Sequence, residues 1–253
     1  MESVSSIFKR QYHIDLRDVD FNKQLKLSTL FSYFQDIASL ASADLGFGIE
    51  TLEKKFGVAW ILTRIRVDIL RMPNWDEEIT IETWPLEPTR VEFDRDYLVK
   101  DASGNIIIKA VSKWVIMDIK ERKIKRSDLI QIHYPEKITK RAIAGKLAKL
   151  KDFGKLEPVY DKVIGYSDID FNGHLNNSKY VDYIMDCFPV ADHQNYTIQT
   201  IDLNFNQEAL PGDSITLFKD TSGVDENVIY IEGVNQTDDN VVFKSLITIK
   251  ENS

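Results

Sequence analysis

Asp170, Asn172 and His174 put an acid, an amide and an imidazole within five consecutive residues. Their spacing alternates, so an extended backbone would point all three side chains to one side, with neighbours about 7 Å apart. Directly after them, Tyr180, Val181, Ile184, Met185 and Phe188 recur at helical spacing, and Asn176 or Asn177 can serve as N-cap. The free N–H groups and dipole of a helix N-terminus favour negative charge. Polar groups just upstream of such a terminus suit a reaction that builds an oxyanion on a carbonyl. A polar loop capping a core helix is the plainer alternative.

The elements that must hold these residues follow from periodicity. Tyr12, Ile14 and Leu16 alternate with polar residues as in a short strand. Leu27, Leu30, Phe31, Phe34, Ile37, Ala38 and Ala41 form a helical apolar stripe ending near Gly46, and 49–56 continues as a turn or two of helix. From Ala59 the period becomes two, which predicts strands near 59–71, 77–84, 91–100 and 105–119. The stretch from Pro135 to about Glu157 reads as a basic linker with a short helix around Ile143–Leu150. A strand near 159–166, the 170–188 segment, and strands near 197–208, 213–219, 227–235 and 240–250 complete the chain. Turns are expected at Pro211-Gly212-Asp213, Ser222-Gly223 and 237–240. Such short turns make antiparallel sheets.

The two halves are copies. At an offset of 150, residues 17–38 and 167–188 share Asp18/Asp168, Asp20/Asp170, Phe21/Phe171, Asn22/Asn172, Leu25/Leu175, Ser28/Ser178, Tyr33/Tyr183 and Asp36/Asp186. Ordinary residue usage would give about one or two such matches. Aligning Arg66–Pro73 with Asn204–Pro211 through the shared proline pairs Glu208 with Leu70, while His174 pairs with Gln24. Gln24 can hydrogen-bond but cannot titrate near neutral pH. The second copy thus keeps an imidazole and a carboxylate that the first lacks, which implies one active site per chain.

Composition narrows the class. Apolar residues make up 43% of the chain, enough for a real core, and no apolar run approaches the ~18 residues of a membrane span. The first sixteen residues resemble neither a secretory signal nor a transit peptide, so a cytoplasmic protein is the simplest expectation. Cys187 is the sole cysteine, and His13, His133, His174 and His193 are scattered, so neither a disulfide nor a metal site is expected. A net charge of −8 argues against nucleic acid as a partner. Twelve Lys/Arg against four acids crowd between Lys120 and Lys155. That stretch is either a solvated linker or a docking face for an acidic partner.

DIDFNGHLNNSKYVDYI resembles the signature of the fatty acyl-acyl carrier protein (acyl-ACP) thioesterases, D-x-N-x-H-x-N-N ahead of a central helix. AWILTRIRVDILRMPNWDEEITIETWP and SKWVIMD resemble the family's first-domain strands, and LNFNQEALPGDS its strand with a catalytic glutamate. The resemblance runs from about Tyr12 to about Thr248. It implies an α+β tandem double hotdog, two antiparallel sheets each wrapping a central helix: an N-terminal hotdog over 1–134 that binds the acyl chain, a linker over 135–157 and a catalytic hotdog over 158–253. Plant members carry a transit peptide, so this sequence looks like a bacterial member.

The resemblance also implies hydrolysis of acyl-ACP to free fatty acid and holo-acyl carrier protein by activated water, without a cofactor or metal. Asp170, Asn172, His174 and Glu208 would be catalytic, with the base role open between Asp170 and Glu208. Asn172 and His174 would orient water or polarise the carbonyl. Asp168 is expected to be structural, because the first copy retains Asp18. Ala209 stands where some plant members have a cysteine, and Cys187 falls on the helix as core packing, so covalent thiol catalysis is disfavoured. Acyl carrier protein is the expected partner, and because it is acidic, the Lys120–Lys155 stretch becomes its expected docking face. The tandem copy could supply the pairing that single hotdogs obtain by dimerising, and a homodimer stays open. A hotdog thioesterase acting on acyl-coenzyme A, a dehydratase and a non-hydrolytic acyl-thioester-binding protein are the alternatives.

Overall fold

The computed structural model describes residues 6–151, 154–220, 222 and 227–252. They form two compact units: the chain up to Leu25 with Tyr33–Leu147, and Lys26–Ser32 with the residues from Ala148 onward. Both units have the hotdog arrangement, a helix and an antiparallel sheet.

In the first unit, β1 (Phe8–His13), α1 (Leu27–Asp44, counted here from Tyr33) and α2 (Ile49–Phe56) precede β2 (Val58–Ile69), β3 (Glu78–Pro85), β4 (Phe93–Asp101) and β5 (Ile106–Asp118), with a short β6 (Ile124–Lys125) beside β5. The sheet order is β1-β3-β4-β5-β2. On α1, Phe34, Ile37, Ala38 and Ala41 are buried, the i, i+3, i+4, i+7 stripe of an amphipathic helix. Phe34 packs on Tyr97 of β4 with ring centroids 4.8 Å apart, so Arg95, Tyr97 and Val99 face the helix. On β2, a bulge between Leu62 and Arg64 resets the alternation, so Leu62 and Ile65 both point inward.

Asp94 and Asp96 face the opposite side of β4, where residues 136–147 lie. Trp84 Nε1 donates to the Lys140 carbonyl at 3.0 Å, Arg64 Nη1 to that of Leu147 at 3.1 Å, and the Ala142 N–H to Asp96 Oδ2 at 2.6 Å. No helix forms around Ile143–Leu150, contrary to the sequence expectation. Gly145 at φ 95° breaks the local turn, and the neighbouring backbone polar groups pair with the sheet instead.

In the second unit, β7 (Leu156–Val163) and α3 (Asn177–Asp186) are followed by β8 (Tyr196–Phe205), β9 (Ser214–Asp220), β10 (Val228–Asn235) and β11 (Val241–Glu251). The order is β8-β11-β10-β9-β7, antiparallel throughout. Tyr180, Val181, Tyr183 and Ile184 form the buried face of α3, and Pro189 follows its C-cap Cys187. Tyr180 meets Phe205 and Phe243 edge-on, at centroid distances of 5.3 and 5.4 Å. β8 ends at Phe205, so Glu208 stands in the loop beyond it rather than on the strand. Of the Ser222-Gly223 turn, Gly223 lies outside the described residues.

Candidate active site

Asp170, Asn172 and His174 do not share the face of a strand. Asp170 and His174 close a tight turn: the Asp170 N–H donates to the His174 carbonyl at 2.8 Å and the Gly173 N–H to the Asp170 carbonyl at 3.0 Å. The Asp170 carboxylate caps the turn from inside, Oδ1 accepting the backbone N–H groups of Asn172 (2.8 Å) and His174 (3.3 Å). This is an Asx-type turn, in which a short acidic side chain replaces a backbone acceptor. Asn172-Gly173 was the available signal, since Asn-Gly marks turns and Gly173 sits at φ 80°. Asn172 lies at the exposed tip, its amide Nδ2 3.5 Å from Asp170 Oδ2.

The turn delivers His174 to Glu208. His174 Nε2 stands 3.6 Å from Glu208 Oε2, with side chains 28% and 31% exposed. That separation is just beyond a direct hydrogen bond, and one water can reach both groups. The Leu175 N–H donates to the Ala209 carbonyl at 3.0 Å, tying the residue after His174 to the residue after Glu208. Among the helix-start N–H groups, that of Ser178 is capped by Asn176 Oδ1 at 3.0 Å and that of Lys179 by the Asn176 carbonyl at 2.9 Å. Asn176 is therefore the N-cap of α3.

The first unit builds the same turn without the chemistry. Asp20 Oδ1 accepts from Asn22 (2.8 Å) and Gln24 (3.1 Å). The Leu25 N–H donates to the Pro73 carbonyl at 2.8 Å, as Leu175 does to Ala209, and the Ile14 N–H to the Glu77 carbonyl at 2.9 Å, as Ile164 does to Asp213. These bonds correct the pairing read from the shared proline. Ala209 is the counterpart of Pro73, so Glu208 corresponds to Met72, not Leu70. The left-handed residues agree: Lys23 (φ 60°) matches Gly173 (φ 80°), and Asp76 (φ 67°) matches Gly212 (φ 88°). Only the second unit places an imidazole and a carboxylate at these two positions.

Asp168 is buried, its Oδ2 accepting the Gly165 N–H at 2.9 Å, as Asp18 Oδ2 accepts the Asp15 N–H (3.1 Å) and the Tyr33 hydroxyl (3.0 Å). Its role is structural. Cys187 is buried in the core, where Sγ donates to the Tyr183 carbonyl at 3.4 Å, and burial pushes its thiol up to about 12. A thiol so placed is not a nucleophile. Tyr180, which the sequence reading treated as core, is buried against Phe205 and Phe243, and burial pushes its phenol well above the ordinary range. Among the described residues no group of three or more His, Cys, Asp or Glu could hold a metal ion.

Residues 5–130 match the acyl-ACP thioesterase N-terminal domain and residues 161–252 its C-terminal domain. An acyl-ACP thioesterase structure from Bacteroides thetaiotaomicron superposes with a TM-score of 0.86 at 28% identity, covering 99% of this chain and 100% of that one. The 12:0-ACP thioesterase from Umbellularia californica shares the fold, with a TM-score of 0.83 at 20% identity over 98% of each chain. Chloroplastic oleoyl-acyl carrier protein thioesterase 2 of Arabidopsis thaliana is 26% identical over 90% of this chain and 66% of its own length. The Coriandrum sativum oleoyl-acyl carrier protein thioesterase is 26% identical over 82% of this chain and 61% of its own length. The chain thus spans less than two thirds of these plant relatives. With both domains matched in order, and one titratable pair left in the second of two superimposable turns, the chain belongs to the acyl-ACP thioesterase family.

Proposed function

We propose that this protein hydrolyses the thioester of fatty acyl-ACP to free fatty acid and holo-acyl carrier protein. The observation that carries this reading is the 3.6 Å approach of His174 Nε2 to Glu208 Oε2 in the unit whose twin has glutamine and methionine instead. A thiol leaves readily, so the enzyme's main tasks are to deprotonate water and hold the tetrahedral oxyanion. Glu208 takes the proton as water attacks the thioester carbonyl. His174 and the Asn172 amide orient that water or polarise the carbonyl, and the Asn177 N–H at the start of α3 receives the oxyanion. Collapse of the intermediate breaks the C–S bond, and the proton passes from Glu208 to the departing sulfur. Asp170 acts through the turn, since its Oδ1 already serves two backbone N–H groups.

The first unit, with Phe34, Ile37, Ala38 and Ala41 against its sheet, would hold the acyl chain. From Ala148 onward the chain has eight Lys/Arg against eighteen Asp/Glu, which disfavours an acidic carrier there. The basic 120–155 stretch is the better docking face. Within it Lys137 and Lys140 are exposed, whereas Arg141 is half-buried and bound to Asp94 (3.2 Å) and Asp96 (3.1 Å). The test is thiol release from acyl carriers of graded chain length by wild type, Glu208→Gln and His174→Ala, beside the matching acyl-coenzyme A. Loss of hydrolysis in both variants is expected. Equal rates on the two carriers would instead favour the coenzyme A substrate, and no thiol release from either would revive a non-hydrolytic binder.

A further inference from the structure

The loop that carries Glu208 runs straight into a second turn, and the two units tie that turn down differently. The Asp213 N–H donates to the Leu210 carbonyl at 3.1 Å, with Pro211 and Gly212 between them. The Asp213 carboxylate reaches back across the turn, Oδ2 accepting the Leu210 N–H at 2.9 Å. In the first unit Glu77 does the same: its N–H donates to the Asn74 carbonyl at 3.3 Å and its Oε1 accepts the Asn74 N–H at 3.1 Å. What holds each acid differs. Glu77 Oε1 takes the Arg71 guanidinium at 2.8 Å, from its own loop, and both side chains are partly exposed. Asp213 Oδ2 takes the Asn235 amide at 2.9 Å, from the buried end of β10.

The residue paired with Asn235 by the duplication accounts for the difference. Asn235 lies opposite Ile215 in the β9–β10 pair as Asp101 lies opposite Ile79 in the β3–β4 pair. Both cap the hairpin that follows, Asn235 Oδ1 accepting the Thr237 N–H and Asp101 Oδ1 the Ser103 N–H, each at 2.9 Å. A carboxylate has only acceptors, whereas an amide has donors left over. An asparagine at this position can therefore grip the acid of the neighbouring turn; an aspartate cannot.

Glu208 lies between two anchors. Upstream, the N–H groups of Asn206 and Gln207 donate to the Val242 carbonyl at 2.9 and 3.3 Å. Downstream, the Ala209 carbonyl accepts the Leu175 N–H at 3.0 Å, and the next residue, Leu210, is held by the Asp213–Asn235 pair. We infer that Asn235 and Asp213 are positioning residues: the buried amide fixes the Asp213 carboxylate, which fixes the backbone just after Glu208 and so sets the Glu208 carboxylate against His174. A rigid hold matters because small displacements of a general base cost large factors in rate.

The inference rests on the proposed role of Glu208, and the test separates the two. Asp213→Ala removes the acceptor, and Asp213→Asn keeps an oxygen for both donors. Asn235→Asp copies Asp101: it retains the cap on Thr237, deletes the donor and sets a second acid beside Asp213. Glu77→Ala, which removes the matching cap in the first unit, is the control. Each is measured for kcat, KM and Tm on acyl-ACP, alone and with Glu208→Gln. The expected result is a roughly tenfold or greater fall in kcat for Asp213→Ala and Asn235→Asp, with KM within about twofold, and rescue by Asp213→Asn to within about threefold of wild type. Glu77→Ala should lose a Tm similar to Asp213→Ala and keep its kcat, and no change should add to Glu208→Gln. Wild-type kcat in Asp213→Ala or Asn235→Asp, an effect on KM alone, an equal fall in Glu77→Ala, or a further fall in the Glu208→Gln background would each overturn the positioning role. Full activity in Glu208→Gln would sink the base assignment itself, and this inference with it.

Discussion

Asp170 and Asp20 occupy the same turn in the two units, which makes one the internal control for the other. Asparagine at either position keeps an oxygen that can accept the two backbone N–H groups now at 2.8 and 3.3 Å (Asp170) or 2.8 and 3.1 Å (Asp20), but removes the charge. Hydrogen bonds to a charged acceptor are roughly twice as strong as neutral ones, so each substitution should cost about 1 kcal/mol. For a protein of this size that is about 2–4 °C in Tm. The two variants should therefore lose similar Tm. Their activities should diverge only through the position of His174: Asp20→Asn near wild type, Asp170→Asn lower by about tenfold or less. Glu208→Gln, which removes the proposed base, should lose about 10²–10⁴ in kcat, equivalent to about 3–5 kcal/mol of barrier, with little change in Tm. Calorimetry on the three variants and initial rates on one acyl-ACP suffice. If Asp170→Asn were as inactive as Glu208→Gln while its Tm matched that of Asp20→Asn, Asp170 itself would be accepting the proton and the reasoning from the turn would fail.

Native Cys187 should resist a disulfide reagent at pH 8, because burial pushes its thiol up to about 12, and Cys187→Ala should retain activity; inactivity with intact folding would restore a thiol mechanism. Charge reversal of Lys137 and Lys140 should weaken carrier binding at low salt without moving Tm, whereas Arg141→Glu should chiefly lower Tm by setting a second acid beside the fully buried Asp96, a loss of about 3 kcal/mol or more. Unchanged carrier affinity in the Lys137/Lys140 variant would remove both from the footprint. Asp186, an exposed residue at the C-terminal end of α3, has its carboxyl raised by partial desolvation, with Lys162 opposing. A raised carboxyl makes the ionised form costly above its folded value, so wild type loses stability as pH rises from about 4 through that value. Asp186→Asn should therefore raise Tm at pH 7, consistent with about 0.5 kcal/mol for removing an acid from a helix C-terminus, and the gain should vanish as pH falls toward 4. A gain independent of pH in thermal melts would refute the assignment.

The sequence by itself determined the main helices and strands, their order and the duplication, though not the absence of a helix around Ile143–Leu150, because these rest on local periodicity and on identities at one offset. Apolar stripes at helical spacing mark α1 and α3, period-two runs mark the strands, and the Gln24/His174 mismatch singles out the second half as the chemical one. Family motifs then tied Glu208 to that half. What tertiary structure decided is where the backbone turns and which distant groups satisfy it. Alternation suggested one strand face for Asp170, Asn172 and His174, yet hydrogen bonds that Asp170 makes to its own neighbours folded them into a turn, as Asn172-Gly173 had signalled. The twin of Glu208 became clear only from the Leu25–Pro73 and Leu175–Ala209 bonds, since a shared proline fixes no register. The basic segment around Arg141 reads as solvated from charge alone, but it lies along a sheet because Asp94 and Asp96, more than forty residues away, point outward to meet it. Spacing along a chain reports which face a side chain can take; it carries no information on which remote donor or acceptor will claim it.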